Sequence, residues 1–259
     1  MLRPRSPAGR EGLAALLRDP RHALIALDFD GTLAPIVPRP EDARPAPGVV
    51  EVLTALTRRV GRVAIITGRP ALTVADLLGD VPDLIVLGQY GVQRWQAGVL
   101  REEPPVPGLA LAQEVLAAEL GLVVEDKGHS LVVHARQADA PLEALARAHP
   151  VVAALAARTG LELHSGRLVL ELRPPGHDKG RALTSLAPGC SCVLTVGDDL
   201  GDLSAFDGVE HLRDQGIGGL LVCSDSDEAP EELRTRADLI VPGPVGVVAL
   251  LAELVAELG

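Results

Sequence analysis

The stretch Leu24-Ile25-Ala26-Leu27-Asp28-Phe29-Asp30-Gly31-Thr32-Leu33 constrains the chain most. Its apolar run fits a strand buried on both faces, as in a parallel sheet covered by helices. Ligands bind such sheets at the carboxyl ends of the strands, where Asp28 and Asp30 stand. Two acids at the mouth of a buried strand are costly unless a cation or a charged substrate meets them. The segment therefore predicts a metal-and-phosphate site whose partners the rest of the chain must supply.

The remaining pattern supports that sheet. Residues 1–10 read as disordered, with a short helix over Glu11–Arg18. After the opening strand, a Pro-rich loop runs from Ala34 to Gly48. A helix over Val49–Arg59 follows, with Val49, Val52, Leu53 and Leu56 on one face. Strand Arg62–Ile66 closes at Thr67-Gly68-Arg69-Pro70, then come helix Leu72–Leu78 and strand Leu84–Leu87. Strand and helix in alternation predict an α/β fold with a doubly wound, Rossmann-like parallel sheet.

Near Gly91 the pattern changes. Val92–Arg101 reads as a hairpin around Ala97-Gly98, and Glu102–Gly108 as a joint. Helix Leu109–Leu120 precedes strands Leu122–Glu125 and Leu131–Arg136; helix Pro141–Arg158 precedes strands Leu161–His164 and Leu168–Leu172. Helix-strand-strand twice predicts an inserted α+β cap, residues 104–175, inside a core of 1–103 and 176–259. The doubly wound pattern then resumes: a helix opening near Asp178-Lys179-Gly180, strand Cys192–Val196, a short helix from Leu203–Phe206, strands Leu220–Cys223 and Leu239–Val241, and helix Val245–Leu258.

Composition narrows the partners. Aromatic residues are 2% of the 259 and the net charge is -11, which argues against base stacking and against a phosphate-backbone surface. Cys190, Cys192 and Cys223 lack the spacing of a zinc knuckle and read as reduced structural thiols. The basic start, MLRPRSPAGR, is followed by no apolar signal core, and no run approaches a membrane span. The expectation is a cytoplasmic monomer acting on a small molecule, with no nucleic-acid or membrane partner.

Four stretches now fall at or just after strand ends: Asp28-x-Asp30-Gly31-Thr32, Thr67-Gly68-Arg69, Lys179, and Gly197-Asp198-Asp199-x-x-Asp202. Singly each has a plainer meaning, since Asp-Gly-Thr is a common turn and Gly-Asp-Asp a helix cap. In this order they resemble the haloacid-dehalogenase-like phosphohydrolases. The chemistry can also be argued directly. A carboxylate attacking phosphorus splits hydrolysis into two easier steps, a role for Asp28 at the strand tip. Asp30, on the same side of an extended chain, would protonate the leaving oxygen and then activate water. Asp28, Asp198 and the Asp30 carbonyl offer hard oxygens suited to Mg²⁺. Lys179 and the Thr67 hydroxyl would bind phosphoryl oxygens, with Gly68 and Arg69 beside them. Asp199 and Asp202 would reach the metal through water or orient Lys179.

Within the insertion, Glu125-x-Lys127-x-x-Ser130-x-x-x-His134-x-Arg136, followed by Glu171-x-Arg173-Pro174, resembles the cap pattern of the trehalose-6-phosphate phosphatases. That resemblance implies that Glu125, Lys127, Ser130, Arg136 and Glu171 bind sugar hydroxyls, although His134 and Arg136 also suit a structural role. His129, His164 and His177 read as surface or hinge residues, and Tyr90 and Trp95 as packing residues. Two departures stand out. The family's Gly-Asp-Asp-x-Thr-Asp-Glu is here Gly197-Asp198-Asp199-Leu200-Gly201-Asp202-Leu203, and its Asn-His-Gly triplet is Gln89-Tyr90-Gly91. They leave open another sugar phosphate as substrate (sucrose phosphate, a mannosyl-phosphoglycerate or an aminocyclitol analogue), or a phosphomannomutase. A non-catalytic sugar-phosphate sensor would be expected to have lost Asp28, Asp30 or Asp198.

Overall fold

A computed structural model describes residues 2–119, 121–166, 168–227 and 229–259. They form two compact units: Met1–Arg101 with Asp178–Gly259, and Glu102–His177. The second unit extends two residues beyond the 104–175 expected from sequence at each end.

The first unit opens with a helix where disorder was expected. α1 spans Pro7–Arg18, and Ser6 caps it by accepting the Gly9 N–H at 2.8 Å. Pro7 begins the helix, where a missing N–H costs nothing. Residues 2–10 are therefore ordered, which corrects the sequence expectation; Met1 lies outside the described residues. The physical reason is tertiary: Leu13 and Leu16 bury, and Arg5 donates to the Ala237 carbonyl at 2.7 Å. Then follow β1 (Ala23–Leu27), α2 (Val49–Thr57), β2 (Arg62–Ile66), α3 (Ala71–Leu78), β3 (Ile85–Gly88) and the hairpin β4 (Gln93–Gln96) with β5 (Val99–Glu102). Trp95 packs against the core as expected.

The second unit comprises α4 (Gly108–Glu119), β6 (Val123–Asp126), β7 (Leu131–His134), α5 (Pro141–Thr159), β8 (Glu162–Gly166) and β9 (Val169–Arg173). Leu120, the expected end of the first helix, lies outside the described residues. The strands form one antiparallel sheet in the order β6-β7-β9-β8. Alternation sends Leu131, Val133, Leu170 and Leu172 to one face, where Ala112 and Leu116 of α4 and Val152 and Leu155 of α5 cover them. The register sets Glu125, Val132, Glu171 and His164 in a row on the opposite face.

The first unit resumes with α6 (Lys179–Leu186), β10 (Cys192–Gly197), α7 (Leu203–Asp214), β11 (Gly218–Asp225), α8 (Glu231–Arg236), β12 (Leu239–Pro242) and α9 (Gly243–Glu257). Its sheet order is β12-β11-β10-β1-β2-β3-β4-β5, parallel from β12 to β3 and antiparallel beyond. Because β1 is buried on both faces, Ile25 and Leu27 join a cluster with α1, α2, α3 and α9, while Leu24 and Ala26 join one with α6, α7 and α8. Successive strands run outward one way from β1 and the other way from β10. The switch point between those two strands is where a doubly wound sheet opens a crevice. No helix among the described residues is long and apolar enough to cross a membrane.

Candidate active site

β1 lies between β2 and β10, with Leu27 beside Ile65 on one side and Val196 on the other. The residues just beyond these pairs, Asp28, Thr67 and Asp198, therefore emerge along one edge of the sheet at the switch point. Lys179 begins α6, behind an N-cap Asp178 that accepts the Arg181 N–H at 2.7 Å. A cation at a helix N-terminus opposes the macrodipole, and a buried one needs carboxylates. Its Nζ lies 2.9 Å from Asp28 Oδ1, 2.7 Å from Asp202 Oδ1 and 4.0 Å from Asp199 Oδ1. Asp202 Oδ2 accepts the backbone N–H groups of Asp198 and Asp199 at 2.9 and 3.2 Å. Asp202 thus orients both the lysine and the turn that bears Asp198. Asp199 is exposed and caps the Gly201 N–H at 2.8 Å.

Charge in this cluster is unbalanced. Asp28, Asp198 and Asp202 bring carboxylate oxygens within 4.8 Å of one another, all three buried, and the Lys179 ammonium meets two of them. Burial, followed by the Asp28, Asp202 and Asp199 charges, pushes the Asp198 carboxyl up to about 10. Burial likewise raises Asp28 well above the usual carboxylate range, although Lys179 opposes it, and Asp202 rises to about 6. Burial would lower the Lys179 ammonium, but Asp202, Asp28 and Asp199 outweigh it and hold it well above its ordinary value. Hard oxygens crowded until they favour protons are a donor set that fits a hard divalent cation. The backbone is built for this approach: Gly31 turns at φ 74°, and a methyl group there would run into the Asp198 carboxylate.

Asp28 and Asp30 have separate partners. The strand ends at Leu27 and the chain turns through Gly31, whose N–H donates to the Ala34 carbonyl at 2.7 Å. Asp30 is partly exposed, and Arg69 clasps it with Nε and Nη2 at 2.6 and 2.7 Å, while Nη1 donates to the Pro40 carbonyl at 2.8 Å. Thr67 is buried, and its Oγ1 accepts the Arg69 N–H at 3.1 Å. A further contact was invisible in the sequence: Ser224 of β11, fully buried, donates its hydroxyl to the Gly31 carbonyl at 2.7 Å.

In the second unit, Ser130 donates to Glu171 Oε1 at 2.9 Å, and Lys127 Nζ lies 3.9 Å from the same oxygen. Glu125 and His134 meet at 2.9 Å. The polar sheet face extends beyond the expected residues, because Arg173 donates to His164 Nδ1 at 2.8 Å. Burial and then the Arg173 charge lower the His164 pKa, so the ring accepts that bond as a neutral imidazole. Arg136 stands apart, exposed in the turn after β7. His129, expected as a surface or hinge residue, is buried rather than at the surface, with Nε2 3.4 Å from Glu102 at the start of the second unit.

A family model described as trehalose-phosphatase matches residues 26–238. The chain belongs to the trehalose-phosphatase family. The trehalose-phosphate phosphatase of Mycobacterium avium (strain 104) is 33% identical over 237 residues, covering 85% of this chain and 58% of that protein. An uncharacterised glycosyl hydrolase of Mycobacterium tuberculosis is 33% identical over 258 residues, 92% of this chain but 18% of that protein. The chain therefore spans little more than half of the first relative and under a fifth of the second. The fold is that of the solved C-terminal domain of C. albicans trehalose-6-phosphate phosphatase, with a TM-score of 0.78 at 20% identity over 98% of this chain and 99% of that one.

For a member of this family, Asp28, Thr67 and Asp198 were legible because each stands where an apolar strand stops. The pairing of Asp30 with Arg69 and of His164 with Arg173 was not. The one local sign of the second pair was period-two alternation, which puts Glu171 and Arg173 on the same face.

Proposed function

We propose that the chain is a Mg²⁺-dependent phosphomonoester hydrolase that converts trehalose 6-phosphate to trehalose and phosphate. The observation that carries this reading is the buried Asp28 carboxylate held 2.9 Å from the Lys179 ammonium, in a chain of the trehalose-phosphatase family. Asp28 attacks the phosphorus, the bond to the sugar O6 breaks, and an aspartyl-phosphate forms. Lys179, 2.9 Å away, favours the ionised form of Asp28 against the burial that raises its pKa, and balances the incoming charge. Thr67 retains a hydroxyl proton to give a phosphoryl oxygen, with the Gly68 N–H beside it. Asp30 gives a proton to the departing O6, and in the second step takes one from the water that attacks the aspartyl-phosphate. Arg69 orients the Asp30 carboxylate between those tasks. Asp28, Asp198 and the Asp30 carbonyl would hold Mg²⁺, with Asp199 and Asp202 as ligands through water or as orienters of Lys179, and the ion would supply countercharge to a phosphate approaching a carboxylate.

Sugar recognition belongs to the polar face of the second unit. Glu125, Lys127, Ser130 and Glu171 present carboxylate, ammonium and hydroxyl groups suited to the paired donors and acceptors of glucose hydroxyls. Arg136 is left to the rim of that face. The three free, buried cysteines suit a reducing cytoplasm.

Incubation with Mg²⁺ and trehalose 6-phosphate tests the proposal: phosphate release must exceed that of an Asp28→Asn control. The departures from the family pattern at Gln89, Gly201 and Leu203 favour one second reading, a different sugar phosphate. Comparison of kcat/KM across trehalose, sucrose and mannosyl-glycerate phosphates separates the two.

A further inference from the structure

The connection from β3 to β4 has a backbone its sequence does not favour. Gln89, Tyr90 and Gly91 have φ of 47°, 59° and 100°, three left-handed residues in succession. L-residues other than Asn and Asp visit that region reluctantly and normally singly. A hairpin turn with such angles would ordinarily be built from Asn-Gly or Asp-Gly. Gln and Tyr are poor choices for a turn alone, and strain of this kind collects where a surrounding structure exploits it.

Here the strained residues touch two parts of the candidate active site. The Gln89 N–H donates to the Arg69 carbonyl at 3.0 Å, and the Tyr90 N–H to the Thr67 carbonyl at 3.0 Å. The Tyr90 phenol lies over Gly68, where a methyl group would come within 2.7 Å of its hydroxyl. The Thr67-Gly68-Arg69 loop is thus held at both carbonyl ends and covered in the middle. On the other side, Gly91 faces α6: a methyl at Gly91 would stand 3.2 Å from Ala182 Cβ. Ala182 is three residues after Lys179, on the same face of that helix.

We propose that Gln89, Tyr90 and Gly91 form a strained bracket that fixes the phosphate-binding loop and sets its spacing from the helix carrying Lys179, which makes Tyr90 a positioning residue for the phosphoryl site. The inference rests on the phosphatase reading but concerns phosphate alone. The backbone contacts hold the loop's carbonyls, so its Thr67 hydroxyl and Gly68 N–H keep one orientation. The Gly91–Ala182 contact keeps the Lys179 ammonium at a constant separation from that loop.

The test uses the full chain with Mg²⁺, inorganic phosphate as the calorimetric ligand and p-nitrophenyl phosphate as the substrate. Tyr90→Asn keeps a residue that tolerates the left-handed backbone and removes the phenol. The expected result is a loss of about 10- to 100-fold in phosphate affinity and in turnover, the scale of an ångström-sized misplacement. The thermal midpoint should not move. Gly68→Ala, which pushes a methyl against the phenol, should give a similar loss alone and little further loss in the Tyr90→Asn chain. Unchanged phosphate affinity and turnover in Tyr90→Asn would overturn the proposal. So would a fall in midpoint with normal activity per folded molecule, or losses from the two substitutions that simply multiply. Neither probe carries a sugar, so the bracket stands or falls on these measurements whichever sugar phosphate proves to be the substrate.

Discussion

At the scale of single residues, the site is governed by carboxylates that burial makes reluctant to ionise. Asp198 shifts from 3.8 in an ordinary setting to about 10, and Asp202 to about 6. Between these limits the metal-free folded chain holds protons that the unfolded chain has released, so that contribution to stability is complete below 3.8 and is lost as pH rises through the folded values. The metal-free protein should therefore lose stability from about pH 5 to about pH 8, by at most roughly 1.4 kcal/mol per pH unit for each group titrating. Millimolar Mg²⁺ should flatten that slope, because a bound cation takes over the role of the protons. Thermal melts in chelator and in Mg²⁺ across this range decide it, and parallel slopes under both conditions would remove the carboxylate cluster as the metal site. The thiols follow the same physics. Burial pushes Cys192 and Cys223 up to about 12. Near neutral pH they hold a negligible thiolate fraction, and a disulfide reagent should label neither until denaturant opens the fold. Rapid labelling of the native chain would contradict their burial.

At the scale of elements, the parts that local sequence hid are those fixed by distant partners. Asp238 is buried just before β12 and accepts from the Leu221 N–H of β11 at 2.8 Å, from Arg213 of α7 and from the Ser6 cap of α1. One carboxylate thus anchors α1, α7 and β11. Arg213→Ala should leave it unpaired in the interior and cost about 3–5 kcal/mol, read as a shift in the urea midpoint; a change under about 0.5 kcal/mol would mean that the pair is dispensable. This anchor explains why residues 2–10 looked disordered. They contain few apolar residues, and what orders them lies more than two hundred positions away. α7 runs beyond the short helix expected from Leu203–Phe206 for a related reason: Val209 and Leu212 bury against the sheet and carry the helix to Asp214. By contrast, β1, β2 and β10 were legible almost to the residue, because double-sided burial writes itself as an unbroken apolar run. Asp28 and Asp198 were legible for the same reason, each being the first charged residue after such a run. Asp30's clasp by Arg69 depends on a turn at Gly31 that an extended reading of the chain does not anticipate.

At the scale of the whole molecule, the two units divide the proposed work, and that division can be measured. The first holds every group that touches phosphorus in the proposed mechanism, and the second presents Lys127, Ser130 and Glu171 on the sheet face opposite its apolar cluster. A substrate with a sugar should need both units, whereas p-nitrophenyl phosphate should need only the first. Glu171 accepts the Ser130 hydroxyl and lies near Lys127, so Glu171→Gln keeps an acceptor and removes the charge. A hydrogen bond to a charged group contributes about 1.5–3 kcal/mol, which corresponds to roughly 10- to 150-fold in kcat/KM for trehalose 6-phosphate. Lys127→Ala should fall in the same range, while p-nitrophenyl phosphate turnover stays within about twofold for both variants. Asp28→Asn, in contrast, should abolish turnover of both esters. If the sheet-face variants weakened the two substrates equally, they would be acting through the stability of the chain, and the sugar reading of that face would be lost. Selective loss has a further consequence for the departures at Gln89 and Tyr90. These residues lie in the first unit, beside the phosphate loop, so their effect should appear on the aryl ester as strongly as on the sugar ester. The two sets of variants thus assign each residue to recognition of the phosphoryl group or of the sugar by a single ratio of rates.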